Sequence, residues 1–97
     1  MNRAPLFQLG HVVATSNALR TIEEALGEAT PAYLAALISR HARGDWGDIH
    51  PDDLGLNEAA LEHGNRILSV YKDGALPVWI ITEADRSVTT VLLPEDY

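Results

Sequence analysis

The spacing of apolar residues changes at Arg66, and this change constrains the fold more than any other feature. Beyond it, apolar and β-branched residues recur with a period of two, which is typical of half-buried strands. The pattern predicts three strands, at 67–72, 77–82 and 87–93. Asp73-Gly74 is a hairpin signal and the second connection is also short, so consecutive strands should be antiparallel neighbours. The C-terminal third of the chain is therefore predicted to be a three-stranded antiparallel meander.

The N-terminal part predicts one strand followed by helices. Residues 6–15 are apolar and partly β-branched, which indicates a strand. Ser16 or Asn17 can then cap a helix, because their side-chain oxygens accept from the free N–H groups of a first turn. Thr30 followed by Pro31 gives a second start signal, an N-cap with proline at the first helical position. Two successive helices are therefore expected after the N-terminal strand.

Residues 44–56 interrupt the helical pattern. The segment is rich in Gly, Asp and Pro, and it predicts an ordered loop with one helical turn opening at Pro51. Asn57 is then expected to cap a short helix at 58–63. Helices and a sheet bury their apolar faces by packing on each other. The chain, 1–97, is therefore predicted to be a single α+β domain with an N-terminal strand and two to three short helices packed against the meander.

Composition excludes several classes of function. The chain has 97 residues, no cysteine, and 14 acidic against 7 basic side chains, for a net charge of -7. This charge disfavours DNA, RNA and anionic membranes as partners, because phosphate neutralisation provides most non-specific affinity. No apolar run approaches the roughly 20 residues that span a bilayer, and no signal-peptide pattern is present. We therefore expect a cytoplasmic protein with no cofactor and a protein partner, and association between copies stays open.

The segment between Gly44 and Asn65 is strongly acidic and has no Lys or Arg. Clustered carboxylates can coordinate Ca²⁺ or Mg²⁺, but the spacing here does not fit an EF-hand loop. They can also imitate nucleic-acid phosphate towards a basic protein, or cap helices and solvate a loop. Trp46 either fills the junction between helices and sheet, the commoner fate, or stays exposed as an interface anchor. The residues that we expect to bind a protein partner are Asp45, Trp46, Asp48, Asp52 and Asp53.

An enzymatic alternative rests on the histidines. Small ribonuclease toxins also place helices before a meander, and His41 or His50 with Glu83 would supply an acid and a base. The catalytic residues of this alternative are His41, Arg43, Arg66 and Glu83. His41, however, falls on the apolar face of the second helix, where a hydrogen-bonded core histidine is the simpler interpretation. Arg66, Arg43 or Arg86 would contact the phosphate. Arg66 and Arg86 also have structural alternatives, as residues that flank strands and pair with Glu83 or Asp85. A metal-binding module is the second alternative, although no HExxH motif is present and no metal ligands are assigned.

Three segments have a distinctive sequence: HARGDWGD at 41–48, NRILSVY at 65–71 and WIITEADRS at 79–87. In them, and from about Leu6 to Tyr97, the chain resembles a family of short uncharacterised bacterial proteins often carried on plasmids and other mobile elements. Members are sometimes labelled plasmid-related, or as a subunit of a type I restriction enzyme. A methyltransferase subunit needs a cofactor-binding α/β domain and an Asn/Asp-Pro-Pro-aromatic motif, and the chain has neither. The resemblance implies an accessory role on mobile DNA, with counteraction of a host defence system as an analogous function, and it supplies no catalytic residues.

Overall fold

Three α-helices and a four-stranded sheet make up the part of the chain that the structure describes. The structure is a computed structural model, and it describes residues 4–72, 74 and 76–97. In chain order the elements are β1 (His11–Ala14), α1 (Ser16–Leu26), α2 (Thr30–Ala42), α3 (Pro51–His63), β2 (Ile67–Tyr71), β3 (Val78–Thr82) and β4 (Val88–Leu92). A short 3-10 turn at Gly27–Ala29 joins α1 to α2, and a second at Pro94–Asp96 follows β4. The predicted α+β class is confirmed.

The strands form one mixed sheet in the order β1-β4-β3-β2. β2, β3 and β4 pair antiparallel in succession, which confirms the predicted meander. The N-terminal strand adds to the far side of β4 in parallel, with His11 opposite Val88. The turn predicted at Asp73-Gly74 includes a residue that lies outside the described part of the chain. β1 and β2 are consequently the two edges of the sheet.

The helices pack on one face of this sheet. Alternate residues of each strand point to that face and form the core with the helices. A large apolar cluster joins α1 and α2 to the strands. It consists of Ala18, Ile22, Leu37, Tyr71, Val78, Ile80, Val91 and Leu93. A second cluster, formed by Trp46, Ala60 and Ile67, holds α3 beside β2. Each large side chain buried in these clusters stabilises the fold by about 1.5–3 kcal/mol.

Two predicted helix caps are wrong. Thr15, rather than Ser16 or Asn17, caps α1, and its Oγ1 accepts from the Ala18 N–H at 3.0 Å. β1 delivers the chain to Thr15 in the extended conformation that an N-cap requires. Thr30 instead has helical dihedrals, φ -54° and ψ -49°, and its side chain makes no cap bond. The 3-10 turn before it already coils the backbone, so no extended cap residue is needed there.

The loop predicted over 44–56 is wrong in its second half, which forms the first turns of α3. Proline suits the first helical position, and His50 caps the helix by accepting from the Asp52 N–H at 3.1 Å through Nδ1. The aspartates of the first turn also suit the positive end of the helix dipole. Asn57 is therefore not a cap, and it lies buried in the middle of α3.

Candidate functional site

The structure brings together Arg66 and Glu83 of the enzymatic alternative, but it buries His41. His41 is 0% exposed, so no substrate in solution reaches its ring. Arg66 and Glu83 form an ion pair at the surface, with 3.0 Å between Nη2 and Oε1. Arg66 Nη1 also donates to the Tyr97 hydroxyl at 3.3 Å, and Arg43 is exposed at the end of α2. The arrangement therefore offers no acid–base pair across a phosphodiester.

His41 belongs to a chain of hydrogen bonds on the inner face of the sheet. Its Nδ1 lies 2.5 Å from Ser69 Oγ, and its Nε2 lies 2.8 Å from Thr82 Oγ1. Thr82 Oγ1 is 2.7 Å from Thr89 Oγ1, which donates to the Leu9 carbonyl at 2.7 Å. A carbonyl only accepts, so the Thr89 proton is committed and the other directions follow. Thr82 donates to Thr89 and accepts from Nε2–H, so Nε2 carries a proton. In the neutral ring Nδ1 then accepts from the Ser69 hydroxyl, and the tautomer is Nε2–H.

Two aromatic rings cover this histidine. Phe7 and Trp46 meet the His41 ring edge-on, with centroid distances of 5.3 Å and 5.9 Å. Burial lowers the pKa of His41 to about 4, because a charged imidazole would lose its hydration. The neutral, doubly hydrogen-bonded ring is therefore a structural group that ties α2 to β2 and β3. The prediction of a hydrogen-bonded core histidine is confirmed.

The hydroxyl partners of His41 were not predicted from the sequence. Ser69, Thr82 and Thr89 are all fully buried and occupy inward positions of three neighbouring strands. A signal for them exists, since each is a small hydroxyl residue at an inward position of an otherwise apolar strand. What the local pattern lacks is the register of the strands, which decides that the three hydroxyls lie next to one another.

The start of the acidic segment hydrogen-bonds to the outer edge of β2. Trp46 O accepts from the Val70 N–H at 3.0 Å, and the Asp48 N–H donates to Val70 O. Gly47 thereby forms a parallel bridge with Val70. The Asp48 carboxylate accepts from the Lys72 N–H at 2.7 Å. These contacts make 46–48 a short cover over the outer edge of β2.

Asn57 completes the cover from α3. Its Nδ2 donates to Leu68 O at 2.6 Å, and its Oδ1 accepts from the Leu68 N–H at 3.1 Å. Leu68 and Val70 are the β2 residues whose backbone groups point away from the sheet. Both now have partners, so this edge offers no free hydrogen bonds at those positions. The predicted role of Asn57 as a cap is wrong because its hydrogen-bond partners belong to a different element.

Three of the predicted binding residues therefore hold the fold. Asp45 pairs with Arg40 at 2.7 Å, and this hydrogen bond lowers the pKa of the Asp45 carboxyl. The Tyr71 hydroxyl donates to the Asp45 carbonyl at 2.7 Å. Trp46 is only 6% exposed, so it does not serve as an exposed anchor. Together with Asp48, these residues fix the chain against β2.

The remaining predicted residues, Asp52 and Asp53, lie in the first turn of α3. The Asp52 side chain is 88% exposed, whereas Asp53 is half-buried. Immediately after them, Leu54 and Leu56 are 44% and 66% exposed. We call the set of Asp52, Asp53, Leu54 and Leu56 the α3 surface. It combines the solvated Asp52 carboxylate with leucines that the fold does not bury.

Arg86, a candidate phosphate contact with a structural alternative, has the structural role. It adopts a positive φ of 61°, and its guanidinium donates to Asn65 O at 2.6 Å and to Ala60 O at 2.9 Å. These carbonyls lie at the end of α3, where helices leave acceptors unpaired. The guanidinium also lies over the Phe7 ring, 5.6 Å from its centroid. Arg86 thus joins α3 to the N-terminal segment that covers His41.

Neither a metal centre nor a known family assigns a function. Among the described residues, no three His, Asp or Glu side chains are grouped to hold a metal ion. No helix in the same part of the chain is long and apolar enough to cross a bilayer. No known protein family matches the chain, and no significant match is found among curated proteins or solved structures. Function is therefore inferred from the surfaces that the fold presents.

Proposed function

We propose that this protein is a non-enzymatic accessory protein that binds another protein through the α3 surface. The supporting observation is the division of the acidic segment into two parts. Asp45, Trp46 and Asp48 are used to hold the chain on β2. Asp52 and the two leucines that follow it point to solvent. Exposed leucines retain the apolar area whose burial drives association.

A shallow groove gives this surface a shape that suits a protruding side chain. Trp46, Ile49 and Leu54 line the groove, so its floor is largely apolar. The Asp45 carboxylate, whose side chain is 52% exposed, also lines the groove. A buried apolar contact with charged groups at its rim is the common organisation of protein interfaces. The groove therefore fits an apolar side chain flanked by Lys or Arg.

The charge of the chain supports a basic partner. A net charge of -7 accelerates encounter with a positively charged protein and disfavours an acidic one. The resemblance to proteins of mobile elements supports a partner in a host defence system. On this proposal the protein acts by occupying a surface of that partner, without chemistry of its own.

The test is an affinity capture from the host with the tagged protein and two charge-reversed variants. Leu54→Lys with Asp52→Lys changes the α3 surface. Leu26→Lys with Glu23→Lys makes the same chemical change on α1, where both residues are also exposed. Thermal unfolding of all three proteins checks that each is folded. Mass spectrometry and a nucleic-acid stain identify what is captured.

We expect one stoichiometric protein with the wild type and the α1 control, and its loss with the α3 variant. Isothermal titration calorimetry with the purified partner would then give the dissociation constant. Equal capture by the α3 variant would place the binding site elsewhere. Recovery of nucleic acid in place of a protein would contradict the proposal itself.

A further inference from the structure

The outer edge of β1 carries backbone groups without partners in the described chain. β1 pairs on one side only, with β4. The His11 N–H donates to Ser87 O at 2.9 Å, and the Thr15 N–H donates to Val91 O at 3.0 Å. Along a strand, the backbone groups of successive residues point alternately to one side and the other. The N–H and C=O of Val12 and Ala14 therefore point away from β4. Within residues 4–72, 74 and 76–97, no other strand lies on that side.

The side chains beside this edge are apolar and exposed on both faces of the sheet. Val12 and Val13 are adjacent in the strand and therefore point to opposite faces, yet they are 44% and 45% exposed. Leu19, one turn into α1, is also exposed. A strand added here would cover both valines and satisfy the outward backbone groups together.

The charge pattern favours a second copy of this chain as the added strand. Two molecules with a net charge of -7 repel each other over most of their surfaces. From Ala4 to Leu19, however, the sequence contains no Asp, Glu, Lys or Arg. The Asp96 carboxylate lies just beyond the end of β1, where it accepts from Thr15 and Asn17. Copies can therefore meet along His11–Ala14 with no charged side chain of the strand between them. An antiparallel pair of identical strands is also self-complementary, as a two-fold interface requires.

We propose that two copies of this protein pair through β1, antiparallel, about a two-fold axis at Val13. In this register Val12 of one copy lies opposite Ala14 of the second, and each such pair exchanges both backbone hydrogen bonds. The two Val13 side chains meet at the axis on one face, and Val12 becomes covered on the other. The two four-stranded sheets join into one continuous sheet. The inference does not depend on the α3 surface.

The test measures the mass of the full-length chain by sedimentation and light scattering, from about 1 µM to about 300 µM, the range expected for a small interface. We expect a monomer–dimer equilibrium for the wild type. Val12→Lys should weaken dimerisation at least tenfold, because lysine on an edge strand opposes pairing. Val12→Thr keeps a β-branched residue and should still dimerise, which separates pairing from folding of the strand. Leu26→Lys, the same charge change at the exposed end of α1, should leave the equilibrium unchanged.

Amide hydrogen exchange provides the second measurement. In the dimer, the N–H groups of Val12 and Ala14 should exchange at least tenfold more slowly at high concentration than at low concentration. Those of His11 and Thr15, already bonded to β4, should not change. A wild-type chain that is monomeric throughout would overturn the inference, even if a foreign protein is captured at β1. A dimer that Val12→Lys leaves intact would overturn it as well.

Discussion

The two edges of the sheet differ in how the rest of the chain treats them. At β2, the segment 46–48 and the Asn57 side chain satisfy the outward backbone groups. At β1, the outward groups of Val12 and Ala14 have no partner among the described residues. An uncovered edge is a template for another strand, and proteins usually block it. The chain uses its acidic segment to block one edge, and its uncharged N-terminal strand leaves the other available.

This difference separates stability from association. The edge at β2, which we call the closed edge, depends on residues 46–48 and Asn57, so changes there should destabilise the fold. The open edge is held from one side only, so exposed substitutions there should change association more than stability. Within the closed edge, substitution of Gly47 should disturb the fold most.

Gly47→Ala should open the closed edge. A Cβ at Gly47 would lie 2.2 Å from Val70 O, and the residue has a φ of +71°. The clash with backbone adds to the cost of a left-handed conformation, so we expect a loss of about 4 kcal/mol in the free energy of unfolding. Gly64→Ala is the matched control, since φ there is +75° but no atom lies within 4 Å of its Cβ. The control should lose only about 1 kcal/mol by urea denaturation, and equal losses would contradict the role of Gly47.

Acid should lower the free energy of unfolding through His41, which lies in the interior next to the closed edge. Its pKa is about 4 in the folded protein against 6.5 as the ordinary value. The unfolded state therefore binds a proton first, and stability is full above pH 6.5 and falls as the pH drops towards 4. The expected loss over this interval is about 3 kcal/mol.

The control for this titration is His41→Gln, whose amide can donate and accept but does not titrate. Its unfolding free energy should show a much smaller slope over the same interval, by urea denaturation at each pH. Asp45, Asp85 and Asp96, whose pKa values are lowered, lose their contribution only below 3.8. A wild-type protein with no slope between pH 6.5 and 4 would show that His41 is not held neutral by the fold.

Asn57→Ala should have the smallest of the three effects. It leaves the N–H and C=O of Leu68 without their side-chain partner at a partly buried position. We expect a loss of about 2 kcal/mol and faster exchange of the Leu68 amide hydrogen. Asn65→Ala changes an exposed asparagine just after α3 and should cost much less. If both variants were equally stable, the side-chain cover of β2 would contribute nothing to the fold.

The sequence predicted the elements whose signal is local. The period of two located β2, β3 and β4, and the apolar face of α2 identified His41 as a core residue. Asn57 misled the prediction because an asparagine before a helical run resembles a cap, whereas its amide bonds β2. The parallel pairing of β1 with β4 joins residues at opposite ends of the sequence, and no local pattern contains it.

The candidate site was predictable only in part, for the same reason. Composition and spacing located the acidic segment, and burial of Trp46 was the favoured outcome. Local sequence does not tell which carboxylates are used by the fold. In the sequence, Asp48 and Asp52 are equally plausible surface carboxylates. Only the register of 46–48 against β2 shows that Asp48 accepts from a backbone N–H. The exposed leucines of α3 were missed because the helix was predicted to begin after them.

The parallel pairing of β1 also has a consequence for synthesis of the chain. The ribosome makes β1 first, but its partner β4 becomes available only after residues 88–92 have been added. Until then both sides of an apolar strand are unpaired while the helices that follow it are already forming. The nascent chain therefore passes through a period in which this segment is more exposed than in the folded protein. Crowding of several ribosomes on one message would bring such segments together before any of the chains is folded.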